Sequence, residues 1–197
     1  RLHQASSDYT AGIVVAFYTS NADVFEKTHD ELDFEFLGNI WGKEWRVQTN
    51  IYGNHSTSRG REERYLLPFD PTKEYHRYSI LWTAETIIFY IDDTPIREAK
   101  RSDAMGGDYP SKPMSLYATI WDASSWATSG GKYKVNYKYG PFAADFTDLV
   151  LAGRRTDPIQ QLPIANVANS DIDLAAIADY AMMTPQKRQA MLEFRER

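Results

Sequence analysis

Seven short runs rich in β-branched and aromatic residues constrain the fold of this chain more than any other feature. They lie at 12–19, 30–36, 45–52, 76–82, 86–92, 114–121 and 143–151. Clusters of Gly, Pro, Asn, Asp and Ser separate the runs, as turns between strands require. Because no helical pattern intervenes, the sequence predicts an all-β fold, an antiparallel sandwich or jelly roll.

Helical character is confined to the end of the chain, after about residue 173. Thr184 and Pro185 make a favourable N-cap and first-turn pair, which predicts a helix over 186–197. The segment at 156–171 is polar and contains two prolines, so we expect a linker or a surface-wrapping segment. The chain therefore divides into a jelly-roll domain at 1–155 and a C-terminal extension at 156–197, made of a linker and a short helix.

Composition excludes several classes of function. The chain has 197 residues, of which 43% are hydrophobic, and this suits one domain with a substantial core. Its net charge is −5 with basic residues spread along the sequence, so the charge favours neither nucleic acid nor an anionic membrane as a partner. The absence of cysteine excludes disulfides and a thiol nucleophile, and the four histidines have no metal-binding spacing.

The sequence also bears on location. No apolar run is long enough to span a bilayer. The first ten residues, RLHQASSDYT, lack the apolar core of a signal peptide. We therefore expect either a mature or trimmed form of a secreted protein or an intracellular protein.

The motif HDELDFEF, at 29–36, places carboxylates at every second position. Successive side chains of a strand point to opposite faces, so Glu31, Asp33 and Glu35 project from one face. Leu32 and Phe34 then project from the other. A helix would scatter the same residues around its circumference, which leaves the strand as the interpretation that makes a pattern.

Such a row of acids is compatible with three kinds of surface. The first is a glycosidase site: hydrolysis with retention needs two carboxyl groups about 5–5.5 Å apart, and two glutamates that lean together from one strand face can supply them. Packing three acids together also separates their proton affinities, so that one is protonated and another ionised at neutral pH. The second is an acidic strand face open to water, and the third is a calcium-binding patch.

The longer motif HDELDFEFLGN, at 29–39, resembles the signature H-D-E-[IL]-D-[FI]-E-F-L-G-N of plant xyloglucan endotransglucosylase/hydrolases, in glycoside hydrolase family 16. Further similar motifs follow in the family's order: SDYTAGIVVAFYTSN, VQTNIYGN, GREERY, FDPTKEYHRYSILW, DDTPIRE, PMSLYATIWDASSWATSGGKYKVNYKY and MLEFRER. The segments STSRGREER and WDASSWATSGGKY are most similar in sequence to those of the subgroup with a longer C-terminal region. The resemblance implies a concanavalin-like jelly roll.

The resemblance implies catalytic roles for the carboxylates. Glu31 would be the nucleophile that forms a covalent glycosyl-enzyme, Asp33 its assisting neighbour, and Glu35 the acid/base. Carboxylates alone supply acid, base and nucleophile, so we expect no cofactor and no metal. The unbulged E-x-D-x-E spacing favours xyloglucan over the β-glucans that related enzymes hydrolyse.

The resemblance also implies a set of substrate-binding residues: Gln48, Asn50, Arg64, Trp121, Trp126, Gly131 and Arg195. Gln48 and Asn50 share one strand face and offer the mixed donors and acceptors that sugar hydroxyls need. Trp121 and Trp126 can cover the apolar faces of sugar rings, whereas for Trp82 we prefer a role in the core. Gly131 would let its loop pass close to the ligand.

Asn54 begins the sequon Asn54-His55-Ser56, and the family carries a glycosylation site in this region. The match therefore favours a secreted protein of the cell wall or apoplast. We expect a monomer whose partners are xyloglucan polysaccharide and xyloglucan oligosaccharide acceptors. Transfer exceeds hydrolysis only if Gln48, Asn50, Arg64, Trp126 and Arg195 bind an acceptor well enough to outcompete water.

The sequence departs from the family in several places. The usual N-terminal strands before SDYTAG and the tail after FRER are missing, Arg154 stands at a cysteine position, and Pro68 replaces a Trp. We therefore expect a chain truncated at both ends, with exposed strand edges that favour aggregation. Two alternatives stay open: a non-catalytic carbohydrate-binding remnant, and a β-glucan hydrolase of the same family.

Overall fold

The computed structural model describes residues 2–3, 9–53, 61–102, 104, 108–153 and 174–197. The strands are β1 (Leu2–His3), β2 (Ile13–Ser20), β3 (Glu31–Leu37), β4 (Arg46–Tyr52), β5 (Glu63–Leu66), β6 (Tyr78–Trp82), β7 (Thr86–Ile91), β8 (Thr94–Lys100), β9 (Ser115–Asp122) and β10 (Asp145–Phe146). The helices are α1 (Leu174–Ala181) and α2 (Pro185–Arg195), and a 3₁₀ turn spans Tyr137–Tyr139.

The strands form two main antiparallel sheets. The larger sheet has the order β5-β4-β3-β2-β9, and the smaller has the order β6-β7-β8. The two short strands β1 and β10 pair with each other. In the larger sheet β3 lies at the centre, where it pairs with β2 on one side and β4 on the other.

The core lies between the two sheets. Phe34 and Phe36 of β3 are buried. The ring centroid of Phe34 lies 5.3 Å from that of Phe89, and the ring centroid of Phe36 lies 4.5 Å from that of Tyr78. Edge-to-face contacts of this kind add to the stabilisation that burial of the rings provides. The prediction of an all-β antiparallel sandwich is therefore confirmed, with the apolar side of the HDELDFEF motif in its core.

The structure corrects the strand prediction in several places. The run predicted at 143–151 forms only Asp145–Phe146, and Val150 and Leu151, which follow it, are 83% and 71% exposed. Three strands were not predicted: Leu2–His3, Glu63–Leu66 and Thr94–Lys100. Leu2–His3 has only two residues, and Glu63–Leu66 is short and charged. Thr94–Lys100 begins in a turn-like segment that contains Pro95. The ladder accommodates Pro95 by a shift of register beside Tyr90.

The C-terminal helix begins where the sequence predicts. The Thr184 hydroxyl accepts a hydrogen bond from the backbone N–H of Lys187, and Pro185 occupies the first helical position. Phe194 is buried in the same apolar cluster as the sheets, 6.0 Å from the ring of Tyr65. The linker predicted at 156–171 lies outside the described residues, so the division at residue 155 stays a prediction.

Strand β9 is an edge of the larger sheet, and the main core cluster contains none of its described residues. Ile120, on the core-facing side of β9, is 44% exposed.

Trp82 packs against the core, as predicted, and its indole N–H donates to the carbonyl of Pro110. Neither of the two described helices has the length and apolar character needed to cross a membrane.

Candidate active site

The three carboxylates project from the face of the larger sheet that is opposite the core. Leu32, Phe34 and Phe36 point inward, so the period of two sends Glu31, Asp33 and Glu35 outward. Asp33 is buried in the middle, and Glu31 and Glu35 are partly exposed on either side. The prediction that one strand face carries all three acids is confirmed.

The register of the sheet decides what surrounds the carboxylates. Asp33 pairs with Asn50 of β4 and Tyr18 of β2. Glu35 pairs with Gln48 of β4, which in turn pairs with Arg64 of β5. The face is therefore acidic along β3, while amides and a guanidinium stand on its β4–β5 side.

Asp33 is the carboxyl group of the row whose protonated form the buried site favours. Burial raises its pKa well above the ordinary value, and repulsion from the nearby carboxylates of Glu31 and Glu35 raises it further. A side-chain hydrogen bond also links Asp33 to Glu31. Two carboxyl groups can share such a bond only when one carries a proton, so Asp33 is positioned to donate it to Glu31.

Glu35 also holds a proton more firmly than an ordinary glutamate. Burial raises its pKa and the hydrogen bond from Gln48 opposes the rise. Repulsion from Glu62 and Glu31 raises the pKa, and attraction to Arg64 lowers it. A general acid needs a proton at neutral pH, and a raised pKa favours this condition.

Glu31 lies at one end of the row and is partly exposed. One of its carboxylate oxygens is 3.8 Å from Nε2 of His29, and its side chain is 19% exposed. The His29 ring also contacts the edge of Tyr52, with ring centroids 5.6 Å apart. Glu31 is therefore accessible to a ligand and hydrogen-bonded to Asp33 from the buried side, as a nucleophile requires.

The two amides predicted to meet sugar are buried. Gln48 is 1% exposed, and its amide N–H donates to Oε2 of Glu35 at 2.5 Å. Asn50 is 3% exposed, and its carbonyl oxygen accepts from the backbone N–H groups of Ile51 and Arg61. Both share the carboxylate face, as predicted, but their polar atoms are engaged within the protein.

An aromatic pair lies at the Glu35 end of the same face. The ring centroids of Trp121 and Trp126 are 5.9 Å apart. Trp121 is 42% exposed, whereas Trp126 packs partly buried against a small cluster that contains Leu37. A cavity of about 280 Å³ lies nearby, lined by Leu37, Gly38, Asn39, Arg46, Arg64, Ala127, Thr128 and Ser129.

The remaining predicted binding residues differ in position. Gly131 has φ +83°, and a Cβ atom there would lie 2.3 Å from the carbonyl oxygen of Ser125, so its loop packs on its own backbone. Arg195 is not at the carboxylates, because it donates to Glu63 and to the Tyr65 hydroxyl, both on the other face of β5 from Arg64. Asn54 lies outside the described residues.

Several groups at the site were not predicted from the sequence. Tyr18 and Tyr117 stack at 5.2 Å beside the carboxylates, and the pKa of Tyr18 is raised by burial and by Glu31 and Asp33. Glu62 is a fourth acid close enough to affect Asp33 and Glu35. Alternation within each strand was visible, but the pairing register that brings these strands together was not. Within the described ranges no group of three or more His, Asp or Glu residues is arranged to hold a metal ion.

The antiparallel sandwich and its outward row of carboxylates define a protein of the glycoside hydrolase type. Residues 3–139 match the family model for glycosyl hydrolases family 16, and the chain belongs to this family. It is 65% identical, over 97% of its length, to the probable xyloglucan endotransglucosylase/hydrolase protein 30 of Arabidopsis thaliana, and 62% identical to protein 27 of that plant. The chain spans 55% and 56% of the length of these two relatives. The family resemblance is thereby confirmed.

Solved structures agree with this assignment. A Bacillus licheniformis β-glucanase shares 26% identity with the chain at a TM-score of 0.55, over 73% of this chain and 59% of the other. A Crh5 transglycosylase in complex with NAG shares 27% identity at a TM-score of 0.57, over 72% of this chain and 56% of the other. The fold is thus shared with both a glucanase and a transglycosylase.

Proposed function

We propose that the chain carries the catalytic site of a xyloglucan endotransglucosylase/hydrolase, which cleaves the β-1,4-glucan backbone of xyloglucan with retention. The observation that carries the proposal is the row formed by Glu31, Asp33 and Glu35, with a buried acid of raised pKa between two partly exposed ones. The similarity to the Arabidopsis relatives supports xyloglucan as the substrate.

In the first step Glu31 attacks the anomeric carbon while Glu35 protonates the oxygen of the departing chain. One C–O bond forms to Glu31 and the glycosidic C–O bond breaks, which leaves a glycosyl-enzyme and a free chain end. Asp33, hydrogen-bonded to Glu31, stabilises the carboxylate before attack. It also assists its departure afterwards, since a hydrogen bond favours the ionised leaving group.

In the second step Glu35, now ionised, takes a proton from the incoming hydroxyl group. That hydroxyl belongs to a second xyloglucan chain in transfer and to water in hydrolysis. Trp121 and Trp126 are suited to hold a sugar ring at the Glu35 end of the face. We infer that this aromatic pair favours transfer by raising the local occupancy of a sugar acceptor over water.

We further propose that the protein acts outside the cell, in the plant cell wall, as a monomer that binds xyloglucan and its oligosaccharides. The similarity to the curated Arabidopsis relatives supports this setting. Asn54 is its candidate glycosylation site, from the sequon Asn54-His55-Ser56.

The test is to incubate the protein with xyloglucan, with and without a labelled xyloglucan oligosaccharide. Incorporation of label into polymer is the expected result and identifies a transferase. Shortening of the polymer without incorporation identifies a hydrolase. Binding without either reaction identifies a carbohydrate-binding remnant and overturns the proposal. Parallel assays on mixed-linkage β-glucan decide the substrate, since faster cleavage there would assign a β-glucan hydrolase.

A further inference from the structure

A continuous line of contacts joins the aromatic pair to the acid/base group. The guanidinium of Arg64 lies 5.4 Å from the centre of the Trp126 ring. Its Nε donates to Oε1 of Gln48 at 2.5 Å, and Nε2 of Gln48 donates to Oε2 of Glu35 at 2.5 Å. Gln48 is 1% exposed, so its amide is enclosed by the groups that it bonds.

Arg64 determines which way the Gln48 amide faces. A guanidinium has donors and no acceptor, so only the carbonyl oxygen of Gln48 can face it. The NH₂ group must then face Glu35. Without Arg64, the amide could turn and present its oxygen to Glu35, and two acceptors would face each other unless a proton stood between them.

The orientation of Gln48 has a consequence for the proton of Glu35. A protonated carboxyl group carries one proton, on one of two oxygens. Because Oε2 already accepts an N–H from Gln48, a proton on Oε2 would oppose that donor. The proton therefore resides on Oε1, the oxygen that Gln48 leaves free.

We propose that Gln48 and Arg64 are positioning residues that fix which oxygen of Glu35 carries the transferable proton, so that Oε1 alone exchanges protons with the substrate. This rests on the proposed function of Glu35 as acid/base. In the first step the proton passes from Oε1 to the glycosidic oxygen as its bond to carbon breaks. In the second step Oε1 accepts a proton from the incoming hydroxyl as that oxygen bonds to carbon. Gln48 acts through Glu35 in both steps.

Gln48 and Arg64 together are called the clamp below. The other charged groups around Glu35 also affect its pKa. On its own strand Glu31 and Asp33 are acidic, and Glu62 adds a further negative charge from the segment before β5. Arg64 is the opposing cation. On the β2 side Ala16 pairs with Glu35. Tyr18, the next residue of β2 on the same face, pairs with Asp33. Gln48 and Arg64 are therefore the two groups that favour the ionised form of Glu35.

The clamp is testable with variants that change its parts separately. Gln48→Leu removes the donor, and Gln48→Glu keeps the shape but presents an acceptor to Glu35. Arg64→Met leaves Gln48 in place and removes the guanidinium that orients it, together with its positive charge near Glu35 and its contact with the Trp126 ring. Arg46→Gln is the matched control, because Arg46 lines the same cavity but makes no side-chain hydrogen bond to Gln48 within the described part of the chain.

Two readouts are compared in the full chain. The first is kcat and KM for aryl β-glycosides of a xyloglucan oligosaccharide with leaving groups of graded acidity. We expect Gln48→Leu and Gln48→Glu to lower kcat about 100-fold for the poorest leaving group and far less for the best. KM should stay within about twofold. Arg64→Met should show the same trend at smaller size, and Arg46→Gln should show no change in the dependence on leaving group.

The second readout is the ¹³C titration of the Glu35 carboxyl by NMR, which needs no substrate. Its midpoint should move to higher pH in the Gln48 and Arg64 variants and stay in place in Arg46→Gln. An unmoved midpoint would overturn the proposal. A raised KM with unchanged kcat would also overturn it, and would make Gln48 a sugar-binding group. If the parent does not act on xyloglucan substrates, the proposed function fails, and the titration still decides whether Gln48 and Arg64 control Glu35.

Discussion

Nζ of Lys112 lies 2.8 Å from Oδ1 of Asp30, the residue directly before Glu31. Asp30 is fully buried, and its other oxygen accepts from the backbone N–H groups of Ser111 and Lys112, both at 2.7 Å. Three donors thus meet one buried carboxylate. This arrangement holds the segment before β9 against the start of the strand that carries Glu31, Asp33 and Glu35.

We predict that Asp30→Ala costs more stability than Lys112→Met. The first substitution leaves the partly buried ammonium of Lys112 and two backbone N–H groups without their acceptor, at a cost of about 3–5 kcal/mol. The second leaves Asp30 with its two backbone donors and should cost about 1–3 kcal/mol. Urea unfolding measures both, with Lys43→Met, at an exposed lysine, as the control within about 0.5 kcal/mol of the parent. The reverse order would show that the lysine, and not the backbone, holds Asp30.

We predict that Glu31→Gln abolishes turnover of xyloglucan and retains binding. An amide has nearly the shape of the carboxylate but is a poor nucleophile, so kcat should fall by about 1,000-fold or more. Calorimetric titration with a xyloglucan oligosaccharide should give a Kd within a few-fold of the parent. Residual activity above about one percent would assign the nucleophile to another residue.

We predict that Glu35→Ala impairs natural polymer more than an activated aryl glycoside. A good leaving group departs without protonation, so loss of the acid matters little for it in the first step. The comparison is the ratio of kcat/KM between parent and variant on the two substrates. Equal losses on both would remove the acid/base role from Glu35.

The local pattern of β3 could be predicted from sequence, because strand geometry alone sends Glu31, Asp33 and Glu35 to one face. The N-cap at Thr184 was likewise local. The contact between Gln48 and Glu35 was not predictable, since it depends on the pairing of β3 with β4. The burial of Gln48 and Asn50 was not predictable either, because an exposed polar strand position and a buried, internally bonded one look the same in sequence. Their contact with sugar stays a prediction.

Long-range packing also decides features that the local sequence does not show. The run at 143–151 has the residue types of a strand, but only Asp145 and Phe146 find a partner, in β1. Arg195 is expected to bind substrate from a family motif, which stays a prediction, and α2 places its side chain against Glu63. Neither a missing ladder partner nor the docking position of a helix leaves a mark in the local sequence.

We predict that Ile120→Lys reduces aggregation on heating. Ile120 is 44% exposed on the core-facing side of an edge strand, and a charge there opposes both apolar association and edge pairing. Static light scattering during a thermal ramp measures the effect. Ser115→Lys adds the same charge at an exposed position on the opposite face of β9. Equal improvement in both variants would show that net charge, and not the apolar face, controls aggregation.

We predict that Asp33→Asn removes a pH-dependent loss of stability. Burial, with repulsion from Glu31 and Glu35, raises the pKa of Asp33 well above its ordinary value. The folded state therefore holds this proton more tightly than the unfolded chain does. The resulting stability is full below the pKa of an unfolded aspartate, about 3.9, and is lost as the pH rises through the folded pKa.

An asparagine has no such proton, so the variant lacks this loss. The melting temperature of the parent should fall more steeply than that of Asp33→Asn as the pH rises from about 4. The two should therefore diverge toward neutral pH, with the variant the more stable, while its kcat is reduced. Asp23→Asn, at an exposed aspartate, is the control and should follow the parent curve. Parallel curves for parent and Asp33→Asn would mean that Asp33 titrates like an ordinary surface carboxyl, and its role as the neutral donor to Glu31 would fail.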